Sequence, residues 1–348
     1  MLENFHGNAP VARSLEQMIL RNRIPQTLLL AGPEGVGKAT LARRFAARLL
    51  GNPEAVERDD LSLEPNLAII GEREKWPSER RVEDPLLFSS HPDFITFPPD
   101  GPLRQISIQQ MRVLKERAQF KPLRGRWRVF LIDQLDRANE HAANSLLKVL
   151  EEPPDHLIVF LTAQNMYDLL PTIRSRSIML HLTALAPGEM LAFALERGIA
   201  QTDRRLALAR GLPGAALSLD LEAYDKRRAA MLALLDAASG QSDFSTWARY
   251  SEAIAASRTE KLDGYLKVLY VLLEDLLQLQ HGAAARVRNR DLESRLEKLA
   301  RAVSFPWLKK AAEKVDELHS LLRRNIQKGI ALDALVLELR RATSSPRP

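Results

Sequence analysis

A chain of 348 residues with 45% apolar side chains can bury a sizeable core and is long enough for about two or three domains. It has no cysteine, which excludes disulfides, thiolate metal sites and a thiol nucleophile, and its seven histidines are scattered rather than clustered. Fifty basic against forty-four acidic residues give a net charge of +6; the signs are interleaved, as on a soluble surface, though the balance suits a partner that carries phosphates.

In chain order, the opening "MLENFHGNAPVARSLEQ" lacks the basic-then-apolar order of a secretory leader, and no run approaches the roughly 18 apolar residues of a membrane span. The cytoplasm is the expected compartment, without a membrane partner. "TLLLAG" (27–32) reads as a buried strand, and the stretch after it places Leu41, Phe45 and Leu49 on one helical face. The segment 52–90 is charged, carries prolines and keeps no period, so it reads as an irregular insertion. "FITF" (94–97), "RVFLID" (128–133), "LIVFLTA" (157–163) and "SIMLHL" (177–182) supply further strands. Five strands alternating with helices predict an α/β domain over 1–184 with a doubly wound, mostly parallel sheet.

From about 184 the strand signals stop, and Gly and Pro at 187–188, 198, 211 and 213–214 punctuate helical text. A small helical lid over 185–222 is expected, followed by an all-α domain over 223–348. In 265–280, "YLKVLYVLLEDLLQLQ", the apolar residues cover more than a narrow stripe, which predicts burial on several sides. The segment 286–310 holds eight basic residues against three acids; Glu and Arg at helical spacing favour a solvated helix face over a DNA contact. Trp307 reads as an anchor for a helix or an interface. The closing "TSSPRP" reads as a frayed tail.

The chemistry concentrates in "LLLAGPEGVGKATLARRF" (28–45). Gly32, Gly35, Gly37 and Lys38 stand between a strand and a helix in the spacing of a phosphate loop, whose amides and helix dipole cradle an anion. Lys38 is placed to reach the β- and γ-phosphates. Where a hydroxyl should follow the lysine to hold magnesium, the chain has Ala39, and Thr40 is turned about 100° away around the helix. "RVFLIDQLDRAN" ends a strand in Asp133, a carboxylate suited to a metal-bound water, but the next residue is Gln134, whose amide cannot serve as a base near neutral pH. Two departures, one at the metal and one at the base, argue against turnover on this chain.

"NSLLKVLEEPPDHLIVFLTAQN" (144–165), with "LLPTIRSRS" (169–177), "HPDF" (91–94) and the opening forty-odd residues, resembles the AAA+ clamp-loader subunits of bacterial DNA polymerase III over roughly residues 1–222. Beyond that only the helical character agrees, as in the family's collar domain. Within the family the chain is most similar to the non-motor, delta prime branch. "GLPGAALSL" (211–219) puts Gly214 where the motor branch carries a sensor arginine. The resemblance implies an arginine finger at Arg176, in Ser175-Arg176-Ser177, with serine where relatives have cysteine, reaching the ATP site of a neighbouring subunit. It implies gamma/tau and delta subunits, the sliding clamp and, through the complex, primer-template DNA as partners. Own ATPase activity is expected to be weak or absent, with ATP or ADP at most held without turnover at Gly32, Gly35, Gly37, Lys38, Thr40 and Asp133. Many delta prime relatives carry a four-cysteine zinc module after the first helix, where this chain has 52–90 and no cysteine, so no zinc is expected. Two other readings stay open: an active gamma-type ATPase in which Thr40 or a water recovers the metal, and an AAA+ adaptor outside replication.

Overall fold

The computed structural model describes residues 5–257, 261–321 and 327–343. They fall in two compact units, one of Met1–Ala200 with Ala209–Leu217, the other of Gln201–Leu208 with Ser218–Pro348.

The first unit is built on six strands: β1 (Thr27–Ala31), β2 (Phe88–His91), β3 (Phe94–Phe97), β4 (Arg128–Ile132), β5 (Leu157–Ala163) and β6 (Ile178–His181). Their order is β2-β3-β4-β5-β1-β6. Every neighbouring pair is parallel except β2 and β3. The four inner strands are buried at every residue, which is why they read as continuous apolar runs without alternation.

Helices cover both faces. They begin with α1 (Ala9–Leu20), α2 (Lys38–Leu50), α3 (Pro53–Glu57), α4 (Glu64–Arg73), α5 (Ser78–Glu83), α6 (Ile108–Ala118) and α7 (Glu140–Glu151). Ser107 and Gln110 form a capping box at the start of α6, and Asn139 accepts the Ala142 N–H to start α7. On one side Leu29, Phe97, Phe130 and Leu161 of the sheet pack with Met111 and Leu114 of α6 and Leu146 of α7. On α2, Phe45 meets Phe160 edge to face at 5.1 Å. Each such side chain, fully buried, contributes about 1.5–3 kcal/mol.

The five expected strands are all present; the sixth, β2, comes from within 52–90. That segment is not irregular, as its sequence suggested, but holds three helices and an edge strand. Pro53 and Pro65 lie in the first turns of α3 and α4, and Pro77 caps α5, positions where a missing N–H costs nothing. The pieces run to only 5, 10 and 6 residues, too short to display a period. Buried charges fix them. Arg73, 4% exposed, donates through Nη2 to Asp100 Oδ2 at 2.8 Å and through Nε to Asp100 Oδ1 at 3.1 Å, and also reaches Asp84. Arg43 on α2, 2% exposed, pairs with Glu57 at 3.2 Å and with Asp60.

The remaining helices are α8 (Pro171–Arg174), α9 (Pro187–Glu196), α10 (Thr202–Ala209), α11 (Pro213–Ser218), α12 (Leu221–Ala238), α13 (Phe244–Ala256), α14 (Leu262–Gln280), α15 (Glu293–Ala302), α16 (Phe305–Leu321) and α17 (Lys328–Thr343). The expected lid, 185–222, is shared: 185–200 and 209–217 cluster with the first unit, 201–208 and 218–222 with the second. Among its described residues the second unit has helices and no strand, packed around Trp247, Leu266, Leu269, Leu272, Leu276 and Trp307. The long helix predicted over 265–280 is α14, buried over most of its surface. Both indoles find acceptors, Trp247 on Asp333 at 2.7 Å and Trp307 on the Leu339 carbonyl at 3.0 Å. In 286–310 several charges pair within the unit, Arg288 with Glu274, Arg295 with Asp236 and Arg301 with Glu297. Residues 344–348 of the expected tail lie outside the described residues. Among the described residues no helix is long and apolar enough to cross a membrane.

Candidate functional site

The loop from Gly32 to Gly37 leaves the C-terminal end of β1 and runs into α2. Gly32, Gly35 and Gly37 have φ of 149°, 81° and 101°. At Gly32 the space is as decisive as the dihedral: a Cβ there would lie 2.2 Å from the Leu182 carbonyl oxygen. Lys38 is 8% exposed and folds back on its own loop, its Nζ donating to the Gly32 carbonyl at 2.7 Å and the Pro33 carbonyl at 2.9 Å. Burial pushes the Lys38 ammonium pKa down, against the pull of Asp133, Asp136 and Glu34. Thr40 does not turn toward the loop lysine; its hydroxyl faces Arg43, whose Nη2 lies 3.5 Å away. Arg43 in turn sits among the acids that tie α3 to α2.

Asp133 follows β4 and is 8% exposed. Its Oδ1 accepts a 2.6 Å hydrogen bond from the Thr162 hydroxyl, and the same hydroxyl accepts the Gln134 N–H at 2.8 Å. Burial pushes the Asp133 carboxyl pKa up, opposed by Thr162 and by the charge of Lys38. Gln134 holds a left-handed conformation, φ 56°, that sends the chain away from the strand. Sequence reasoning missed Thr162, whose only signal is a hydroxyl near the end of an otherwise apolar strand beside β4.

Gly214, near the start of α11, lies directly on the phosphate loop. Its N–H donates to the Gly35 carbonyl at 2.8 Å, and a Cβ on Gly214 would come within 2.9 Å of the Gly35 Cα. The position leaves no room for a side chain in this arrangement.

The structure thus gathers Gly32, Gly35, Gly37, Lys38 and Asp133 at the C-terminal ends of β1 and β4. Arg176 is elsewhere. It precedes β6, which runs parallel to β1 with Leu28 opposite Ile178 and Ala31 opposite His181. The loop follows β1 and Arg176 precedes β6, so they lie at opposite ends of the strands, at least about 10 Å apart along them. Arg176 donates through Nη1 to the Thr172 carbonyl at 3.0 Å, and its Nη2 pairs with Glu151 at 2.9 Å, both side chains remaining well exposed. Glu151, the last residue of α7, was not singled out in the sequence; its signal is an acid at a helix C-terminus, where the dipole disfavours negative charge.

The family model described as "DNA polymerase III, delta subunit" matches residues 7–186, and that described as "DNA polymerase III, delta subunit, C terminal" matches 222–341. The DNA polymerase III subunit delta' of Escherichia coli is 31% identical over 219 residues, 62% of this chain and 63% of that protein. The DNA polymerase III subunit gamma/tau of Mycobacterium tuberculosis is 31% identical over 193 residues, 54% of this chain. The chain spans 28% of the length of that gamma/tau relative. Among solved structures, a gamma-subunit-related protein from Thermotoga maritima covers 94% of this chain and 99% of its own at 18% identity and a TM-score of 0.44. With its two halves matched in turn by the two delta-subunit models, the chain belongs to the DNA polymerase III clamp-loader subunit family.

Proposed function

We propose that the chain is a non-motor subunit of the delta prime type, which hydrolyses no ATP itself and presents Arg176 to the nucleotide of a neighbouring clamp-loader ATPase. The observation that carries this reading is the placement of Arg176. An arginine at the opposite end of the strands from its own phosphate loop can act on phosphate only in trans, and an exposed guanidinium is equipped for that. Delivered to a transferring phosphoryl group, such an arginine is worth roughly 10³–10⁵ in rate.

The residues at the loop do not suit a magnesium-assisted hydrolytic centre. Ala39 offers no oxygen, Thr40 is engaged by Arg43, and the Lys38 ammonium is bonded to two carbonyls of its own loop. Gln134 is no general base. Any ATP or ADP taken up there is held without turnover. The partners are gamma/tau and delta subunits, the sliding clamp, and primed DNA through the assembled complex.

The test is the ATPase rate of a loader reconstituted with wild type or Arg176→Ala, alongside the rate of the purified chain. A loss confined to the complex is the expected result. Equal rates in the two complexes, or turnover by the chain alone that Lys38→Ala abolishes, would refute the reading in favour of an active gamma-type ATPase.

A further inference from the structure

The geometry points to Glu151 as the positioning residue for Arg176, an inference that rests on the finger reading above. Three observations converge on it. Glu151 Oε1 lies 2.9 Å from Arg176 Nη2, while Arg176 Nη1 donates to the Thr172 carbonyl at 3.0 Å, so the guanidinium is held from two elements, the end of α7 and the turn of α8. The Thr172 carbonyl also accepts the Ser175 hydroxyl at 3.1 Å, which ties that acceptor to the same turn. Second, Glu151 closes α7, where its charge opposes the helix dipole, so the residue is poorly placed for the stability of its own helix. Third, the pair is exposed, with side-chain exposures of 35% for Arg176 and 46% for Glu151, and ion pairs this open to water contribute little to folding.

What the pair does accomplish is orientation. A free arginine samples many rotamers, and an arginine finger has to present its fork to phosphate oxygens in one plane. The bonds to Glu151 and to the Thr172 carbonyl take one hydrogen on each terminal nitrogen and Ser175 Oγ lies 3.5 Å from Nη1, so the second Nη2 hydrogen and the Nε hydrogen are left for an incoming anion. Glu151 touches neither nucleotide nor metal in this scheme; it acts only through Arg176, by reducing the freedom lost when the neighbouring site closes.

The experiment is steady-state ATPase by the complete reconstituted loader at saturating and subsaturating ATP, with Glu151→Gln, Glu151→Asp, Arg176→Ala and the Glu151→Gln/Arg176→Ala double variant. Glu151→Gln is expected to lower kcat about tenfold with KM for ATP unchanged, and Glu151→Asp to recover part of the rate. In the Arg176→Ala background Glu151→Gln should have no further effect, since a positioning residue has nothing left to position. A kcat for Glu151→Gln within twofold of wild type, or the same fold-loss with and without Arg176, would overturn the assignment, the second outcome marking a role in the scaffold. Should Arg176→Ala itself leave the rate unchanged, the finger reading fails and this inference with it.

Discussion

Gly214 and Gly35 are joined backbone to backbone, the N–H of one donating to the carbonyl of the other at 2.8 Å, so closely that a Cβ on Gly214 would sit 2.9 Å from the Gly35 Cα. Alanine in a helix is ordinarily favoured over glycine by about 0.5–1 kcal/mol. Here the overlap is with backbone, which cannot swing aside, and overpacking costs typically about 1–3 kcal/mol. Gly214→Ala should therefore lower the urea midpoint. Gly214→Arg should lower it further and confer no ATP turnover, because Ala39 still offers no hydroxyl for a metal and Gln134 is still no base.

Lys38 illustrates how a phosphate-loop lysine can be put to local use. Its two bonds to loop carbonyls make it part of the loop's own structure. Lys38→Ala is expected to leave the ATPase of the reconstituted loader within twofold of wild type. A collapse of that rate in a loader that still assembles would show that this loop, and not only its neighbour's, takes part in turnover.

Arg43 is the least exposed cation among the described residues of the first unit, with Glu57 and Asp60 gathered on it. Removing it strands two carboxylates that are 38% and 26% exposed, so the penalty falls below that of a fully buried pair. Arg43→Met should cost about 2–3 kcal/mol by urea denaturation. Adding Glu57→Gln and Asp60→Asn to that variant should recover most of the loss.

Tyr224 in the second unit has its phenol pKa pushed up to about 12, chiefly by burial. The sign follows from proton binding. Below pH 10 the phenol is neutral in both states and titration contributes nothing; above it the unfolded chain ionises while the folded one retains its proton, so stability is lost as pH rises from about 10 to about 12. At neutral pH Tyr224→Phe should cost about 1 kcal/mol, for the hydrogen bond to Asn289 at 3.0 Å. Between pH 10 and 12 the variant should fall less steeply than wild type, so that the two denaturation midpoints converge.

The parallel sheet was legible because strands buried on both faces write themselves as unbroken apolar text. β2 escaped because it is four residues long, with Ser89 and Ser90 exposed between buried ends. The inserted helices escaped for a related reason: they are held by Arg43 and Arg73, and charges look like surface until their partners, 11–27 residues away, are brought beside them. At the site, glycine and lysine spacing revealed the phosphate loop, yet the direction in which Lys38 points is a rotamer choice that no spacing encodes. Thr162 was hidden because one hydroxyl in a strand carries no pattern. Arg176 stood out only through resemblance, and Glu151 only once the fold had brought the end of α7 against α8.

The clasp of Arg73 on Asp100 has a consequence for how the molecule comes apart. Asp100 lies beyond β3, so the clasp bolts the inserted helices to the strand pair at the sheet's edge. Such a graft cannot melt by itself. In hydrogen exchange the amides of α4 should open together with those of β3 as one cooperative block. Excising 53–87 would not trim a tassel from the surface; it would leave Asp100 buried without its cation and unseat the border of the sheet.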